Sequence, residues 1–142
     1  MFELHKTLNQ DCLIIGEFKL SLVLLNRDAN YPWLILVPKR HNISEIFQLQ
    51  GADRQQLLLE SCNLCEAMMA LFKPDKLNIG TLGNLVPQLH MHHVARYISD
   101  QAWPGPVWGA VPPRPYKPLE LSQRCLNLRQ HLQDYGLVCP EI

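Results

Sequence analysis

Three of the six histidines fall within four residues: His90, His92 and His93. On a strand, side chains alternate faces. Gln88, His90 and His92 then share one face, and Leu89, Met91 and His93 share the other. Residues two apart on a strand are separated by roughly 6.5–7 Å. One polar face would thus present an amide and two imidazoles in a row. Imidazole serves as nucleophile, base or hydrogen-bond donor near neutral pH. A phosphoryl group suits such a row, because one ring can attack phosphorus while another binds a non-bridging oxygen. The covalent intermediate splits one displacement into two. A metal site using His90, His92 and cysteines is a weaker reading.

The elements that must position these residues are legible around them. Residues 13–15 and 20–25 are apolar and β-prone, with Gly16 between them, and predict a hairpin. Residues 26–30 are a polar turn cluster. Residues 33–37 form a continuous apolar run ending at Pro38, as in a strand buried on both faces. A short helical turn is expected near Ser44 and Glu45. Residues 53–72 predict the main helix, with Asp53 in its first turn and Lys73-Pro74 ending it. Residues 76–79 predict a strand, residues 80–84 a glycine-containing loop, and residues 88–97 the histidine strand. Prolines crowd residues 104–118, which cannot be helical and should run extended, pinned by Trp103 and Trp108. Leu121, Cys125, Leu128 and Leu132 mark an amphipathic C-terminal helix. Strands with one main helix argue for an α+β domain with a mainly antiparallel sheet.

Composition narrows the function classes. The chain has 142 residues, 47% hydrophobic and 18% charged, which fits one globular domain. Lys plus Arg and Asp plus Glu stand at 13 each, so no electrostatic footprint for nucleic acid or an anionic membrane is expected. No apolar run approaches the ~20 residues of a membrane helix. The first eight residues carry Glu3, His5 and Lys6 rather than an apolar signal core, and the cysteine count is odd at five. Reduced thiols and a cytoplasmic location are expected. Cys62 and Cys65 have Cys-x-x-Cys spacing, but they fall on the apolar side of the predicted helix and read as buried small hydrophobes.

The run Gln88-Leu89-His90-Met91-His92-His93-Val94 resembles the motif of the histidine triad (HIT) family, His-φ-His-φ-His-φ-φ with φ apolar. Residues 33–41 are similar to the strand and turn preceding the family's main helix, and the likeness spans roughly residues 10–100. Trp-Pro-Gly-Pro-Val-Trp-Gly, residues 103–109, resembles the segment after the motif in a bacterial branch of the family.

The resemblance implies a HIT-like fold over residues 1–110, with residues 111–142 as a proline-rich segment and helix packed on it. It implies a nucleotide substrate, hydrolysis or transfer at the α-phosphate, a homodimer, and no metal or cofactor. His90 takes the nucleophile's place, His92 the third histidine's, and Gln88 replaces the first histidine. Gln88 can orient by hydrogen bonding but cannot titrate. His93, at an apolar position, reads as structural or partly exposed. The serine that phosphoramidate-cleaving relatives carry before the triad is absent, with Asn84 or Thr81 nearest to its place. Asn78 resembles a family amide near the phosphate. Asn26 resembles an acidic residue that holds the ribose, with Asp28 as its rival, and Arg96 is a candidate for outer phosphates. The leaving group stays open between a phosphoramidate, a dinucleoside polyphosphate and a nucleotide sugar. An alternative is a nucleotide-binding module with weak or no turnover.

Overall fold

The computed structural model describes residues 1–139. The chain runs through helix α1 (Lys6–Asp11), strands β1 (Cys12–Glu17), β2 (Ser21–Asn26) and β3 (Trp33–Pro38), and then the long helix α2 (Gly51–Phe72). Strands β4 (Lys76–Gly80) and β5 (Met91–Arg96) come next, and helix α3 (Pro118–Leu132) comes last. The five strands form one antiparallel sheet in the order β1-β2-β3-β5-β4. The architecture is the expected α+β one.

Strand β3 is buried along its whole length because both sheet faces are covered. Leu34 and Leu36 join a core built with Leu57, Leu64 and Met68 of α2 and Cys125, Leu128 and Leu132 of α3. Trp33, Ile35 and Val37 belong to a second cluster with Leu8, Tyr31, Val86 and Val107. Strand β5, paired beside β3, obeys the same alternation. Ala95 packs in the first cluster and Val94 in the second. His92 therefore emerges on the face opposite α2, while His93 points at that helix.

Several local features depart from the sequence reading, the unpredicted helix α1 among them. Gly16 does not separate two strands but lies inside β1, where the register shifts between Ile14 and Gly16. A Cβ there would come within 2.6 Å of the Val138 carbonyl oxygen, so close backbone approach is what requires glycine. Arg129 of α3 donates to the Ile14 and Ile15 carbonyls at this irregularity, at 3.1 and 2.9 Å.

Helix α2 is apolar on two sides, so its leucines do not all face inward. Leu57 and Leu64 are buried, whereas Leu58 and Leu59 are exposed. Cys62 is exposed and Cys65 half-buried, which corrects the reading of both as buried thiols. In their place α2 buries Glu60 and Ser61. The histidine strand, finally, begins at Met91 rather than at residue 88.

The Glu60 carboxylate ties α2 to the β1–β2 turn. It accepts from the Leu20 and Ser21 backbone N–H groups at 2.8 and 3.0 Å, and Gln56 donates to it at 2.8 Å. Glu60→Ala leaves both N–H groups buried without acceptors and is expected to destabilise the fold by about 2–4 kcal/mol, measured by urea unfolding. A loss below about 0.5 kcal/mol would count against this anchoring.

Candidate active site

His90 and His92 lie at a cleft of about 460 Å³ on the face opposite α2. Its walls come from α1 (Thr7, Leu8, Asp11), from β3 (Trp33, Ile35), from residues 82–86 and from Trp108 of the tail. Both imidazoles are 7% exposed, and their ring centroids are 5.0 Å apart in an edge-to-face arrangement.

The hydrogen bonds fix which nitrogen of each ring carries the proton. His90 Nδ1 lies 2.8 Å from the Gln88 carbonyl, which can only accept. In the neutral ring Nδ1 therefore holds the one proton, and Nε2 keeps its lone pair. For His92 the assignment is reversed. Trp33 Nε1, which can only donate, lies 2.9 Å from His92 Nδ1. His92 Nδ1 is thus the acceptor, and the ring's one proton sits on Nε2. The cleft presents one imidazole with a free lone pair beside one with a fixed N–H.

His92 is held neutral. Burial pushes its pKa down to about 3, helped by the neighbouring His90 and His93. The aromatic surroundings account for that burial. Trp33 and Trp108 pack on the ring at centroid distances of 5.6 and 5.3 Å, the latter edge-on. Trp108 Nε1 is buried with no hydrogen-bond partner among the described residues.

His93 is fully buried against α2, not partly exposed. Its Nδ1 donates to the Met91 carbonyl at 3.1 Å, so its Nε2 accepts from the Ser61 hydroxyl at 2.7 Å. Burial lowers its pKa to about 4. The pairing fastens α2 to the strand that carries His92.

The remaining candidates divide. Asn26 and Asn84 line the histidine cleft. Asn26 Oδ1 also accepts from the Asp28 N–H at 2.9 Å. Asp28 lies in the adjoining hollow with Arg27 and Arg114, and its Oδ1 accepts from the Asn30 and Arg114 N–H groups. Of the two rivals, Asn26 is thus the one beside the histidines.

Arg96 and Asn78 are not at the cleft. Arg96 is 1% exposed and makes a two-pronged pair with Asp100 at 2.8 and 3.1 Å. Its third bond goes to Asn78 Oδ1 at 2.7 Å, which uses that amide's acceptor as well. Its guanidinium lies against the rings of Tyr31 and Trp103. Burial raises the Asp100 pKa, but the Arg96 bonds and the Tyr97 and Trp103 N–H groups outweigh it and hold the carboxyl below its usual range. A guanidinium so engaged anchors the tail, and all of its described bonds are to Asp100 and Asn78.

Gln88 shares a small recess with His90, but its side-chain amide bonds residues 3 and 5 rather than facing the two rings as a ligand contact. Sequence reasoning passed over Trp33 and the wall supplied by α1, and read Trp108 as an anchor of the tail without placing it at the histidines. A tryptophan inside an all-buried strand needs a partner for its N–H, and that was the available signal for Trp33.

The comparisons with known proteins agree with this fold. The HIT domain family matches residues 7–98. A histidine triad protein from Marinobacter aquaeolei VT8 is 48% identical over 94% of this chain and 98% of its own, with a TM-score of 0.91. One from Bradyrhizobium japonicum is 45% identical over 92% and 97%, with a TM-score of 0.90. A third, from Sinorhizobium meliloti 1021, is 37% identical over 93% and 98%, also at 0.90. No curated protein matches the chain. The fold and the paired imidazoles define a histidine triad protein, and the chain belongs to the HIT family.

Two buried neutral histidines make stability depend on pH. Unfolded imidazoles titrate near 6.5, whereas folded His92 and His93 titrate near 3 and 4. Between about pH 4 and 6.5 the unfolded chain binds more protons, so stability rises with pH in that window. Lowering the pH from 7 to 5 is expected to remove up to about 2 kcal/mol per histidine, read from urea unfolding curves. A flat profile over that range would contradict the neutral assignment.

Proposed function

We propose that this protein is a nucleotide hydrolase or nucleotidyl transferase acting at the α-phosphate through a covalent nucleotidyl-histidine on His90. The observation that carries the reading is the opposed pair of tautomers: a lone pair on His90 Nε2 beside a proton on His92 Nε2. His90 Nε2 attacks the α-phosphorus, forming a P–N bond as the bond to the leaving group breaks. The ring becomes an imidazolium, and the Gln88 carbonyl on Nδ1–H stabilises that charge. His92 Nε2–H donates to a phosphate oxygen. Water then attacks phosphorus and gives up a proton to solvent, the P–N bond breaks with its electron pair returning to His90 Nε2, and a nucleoside monophosphate leaves with a regenerated neutral His90. In transfer, another hydroxyl or phosphate replaces water. Asn26, at the cleft, is the ribose contact in this reading, and Asn84 lines the rim.

The same pair favours one leaving group. His92 has one proton, and surrendering it would produce an imidazolate. With its pKa near 3, the doubly protonated form is scarce at neutral pH. His92 is therefore a hydrogen-bond donor and not a general acid. A phosphate departs as an anion and needs no proton at that moment, whereas an amine does. The absence of a hydroxyl in residues 84–87 points the same way. Dinucleoside polyphosphates are thus favoured over phosphoramidates. A binding module with little turnover is the second reading, motivated by Gln88 in the first histidine's place.

His90→Ala is expected to lower kcat/KM for diadenosine tetraphosphate by at least about a thousandfold. Quenched wild-type reactions should show an adenylyl group on the peptide carrying His90, and the polyphosphate should be turned over faster than adenosine 5′-phosphoramidate. Full activity in His90→Ala would sink the nucleophile. Binding of AMP with no turnover of either compound would favour the binding module.

The homodimer reading finds support in exposed apolar groups. Leu58, Leu59 and Met69 of α2 and Ile79 of β4 are about half exposed or more, and β4 is an edge of the sheet. An unpaired edge beside apolar side chains invites a second copy of the chain. Light scattering after size exclusion should give about 33 kDa, twice the 16.4 kDa of one chain. A monomer at micromolar concentration would remove the proposal.

A further inference from the structure

The residue in the triad's first place has its side chain engaged elsewhere. Gln88 Oε1 accepts from the His5 N–H at 2.8 Å, and Gln88 Nε2 donates to the Glu3 carbonyl at 2.9 Å. In an extended segment the carbonyl of one residue and the N–H two residues on point the same way, as they do towards a neighbouring parallel strand. A carboxamide carries donor and acceptor side by side and meets both. An imidazole carries its two nitrogens on different edges of the ring and does not.

The clamped segment leads directly into α1. His5 is its N-cap, with Nδ1 accepting from the Thr7 N–H at 3.1 Å. Helix α1 has six residues, far fewer than an isolated helix needs to persist in water. Its position must come from tertiary contacts, and it supplies Thr7, Leu8 and Asp11 to the cleft wall. Gln88 thus has two engagements: its carbonyl takes the His90 Nδ1–H, and its amide holds the segment that walls the same cleft.

We propose that Gln88 is a positioning residue whose side chain latches residues 3–11 into the wall of the cleft, and so sets how tightly a nucleoside 5′-phosphate is held. The ligand half of this inference rests on the function proposed above; the latch itself does not. Position 88 then acts on binding rather than on proton transfer.

Hydrogen exchange and AMP titration on the full chain test it. In Gln88→Ala, amides of residues 5–11 should exchange at least about tenfold faster, and the Kd for AMP should rise about tenfold, the scale of two modest hydrogen bonds. The fall in kcat/KM should appear mainly in KM. Unchanged exchange, or a loss confined to kcat, would overturn the latch. The other partner gives an independent route. His5→Pro deletes the N–H that Gln88 accepts, and φ at His5 is −54°, within the range of proline. His5→Ala keeps that N–H and loses only the cap. His5→Pro should loosen residues 6–11 more than His5→Ala does, and in a Gln88→Ala background should add no more than His5→Ala adds. Fully additive losses would overturn the proposal. Should wild-type protein fail to bind AMP, the functional reading falls, while the exchange data still decide the latch.

Discussion

The hydrogen bond from Trp33 Nε1 to His92 Nδ1 is the contact on which the site's chemistry turns. It exists because β3 and β5 are neighbours, so that Trp33 and His92 emerge on the same sheet face. Once the indole has taken Nδ1, the His92 proton has only Nε2 to occupy. The Gln88 carbonyl imposes the opposite choice on His90. Two chemically identical side chains are made unlike by one donor and one acceptor, neither of which titrates. Backbone and indole cannot exchange those roles, so the two neutral rings keep opposite tautomers.

The surroundings keep His92 neutral and supply no fixed positive charge among the described residues lining the cleft. Among the described residues lining the histidine cleft there is no Lys or Arg. The nearest buried guanidinium on that face, Arg96, is neutralised by Asp100 and rigidly held. In the proposed reaction, positive charge at the phosphate would therefore arise along the path itself, as attack converts His90 to an imidazolium. A charge that appears only along the reaction path stabilises the transition state more than the bound substrate, which is what raises a rate.

The sheet, the long helix, the C-terminal helix and the histidine strand were legible because apolar periodicity reports which positions want burial. Periodicity does not report which of two apolar faces wins. Helix α2 carries leucines on both sides, and the side that packs is the one bearing Glu60 and Ser61, whose partners are the β1–β2 turn and His93. Those partners are 32 to 40 residues away in sequence and leave no local trace. Arg96 misled for a related reason. Its strand parity places it on the cleft face, but a guanidinium four residues before Asp100 closes on that carboxylate instead. Helix α1 was missed because six residues carry too little periodicity to be read.

The tail and the segment before β1 come from opposite ends of the described chain and meet the sheet on the same face. Trp108 packs on His92 and Trp33, and Gln88 ties down residues 3 and 5. The tail is fastened by side chain and backbone together: Ala29 N–H donates to the Arg114 carbonyl at 2.7 Å, and Arg114 Nη2 returns a bond to the Ala29 carbonyl. Neither segment has a core of its own, and each is held by polar bonds to the residues that frame the cleft. Burial of His92 results from this arrangement, because the indoles that exclude water from it are partly contributed by the tail. The shifted pKa and the shape of the pocket then share a cause, while the tautomer is set by Trp33 of β3. Loosening either segment would admit water to the ring, raise its proton affinity and blur the distinction between the two imidazoles on which the proposed chemistry depends.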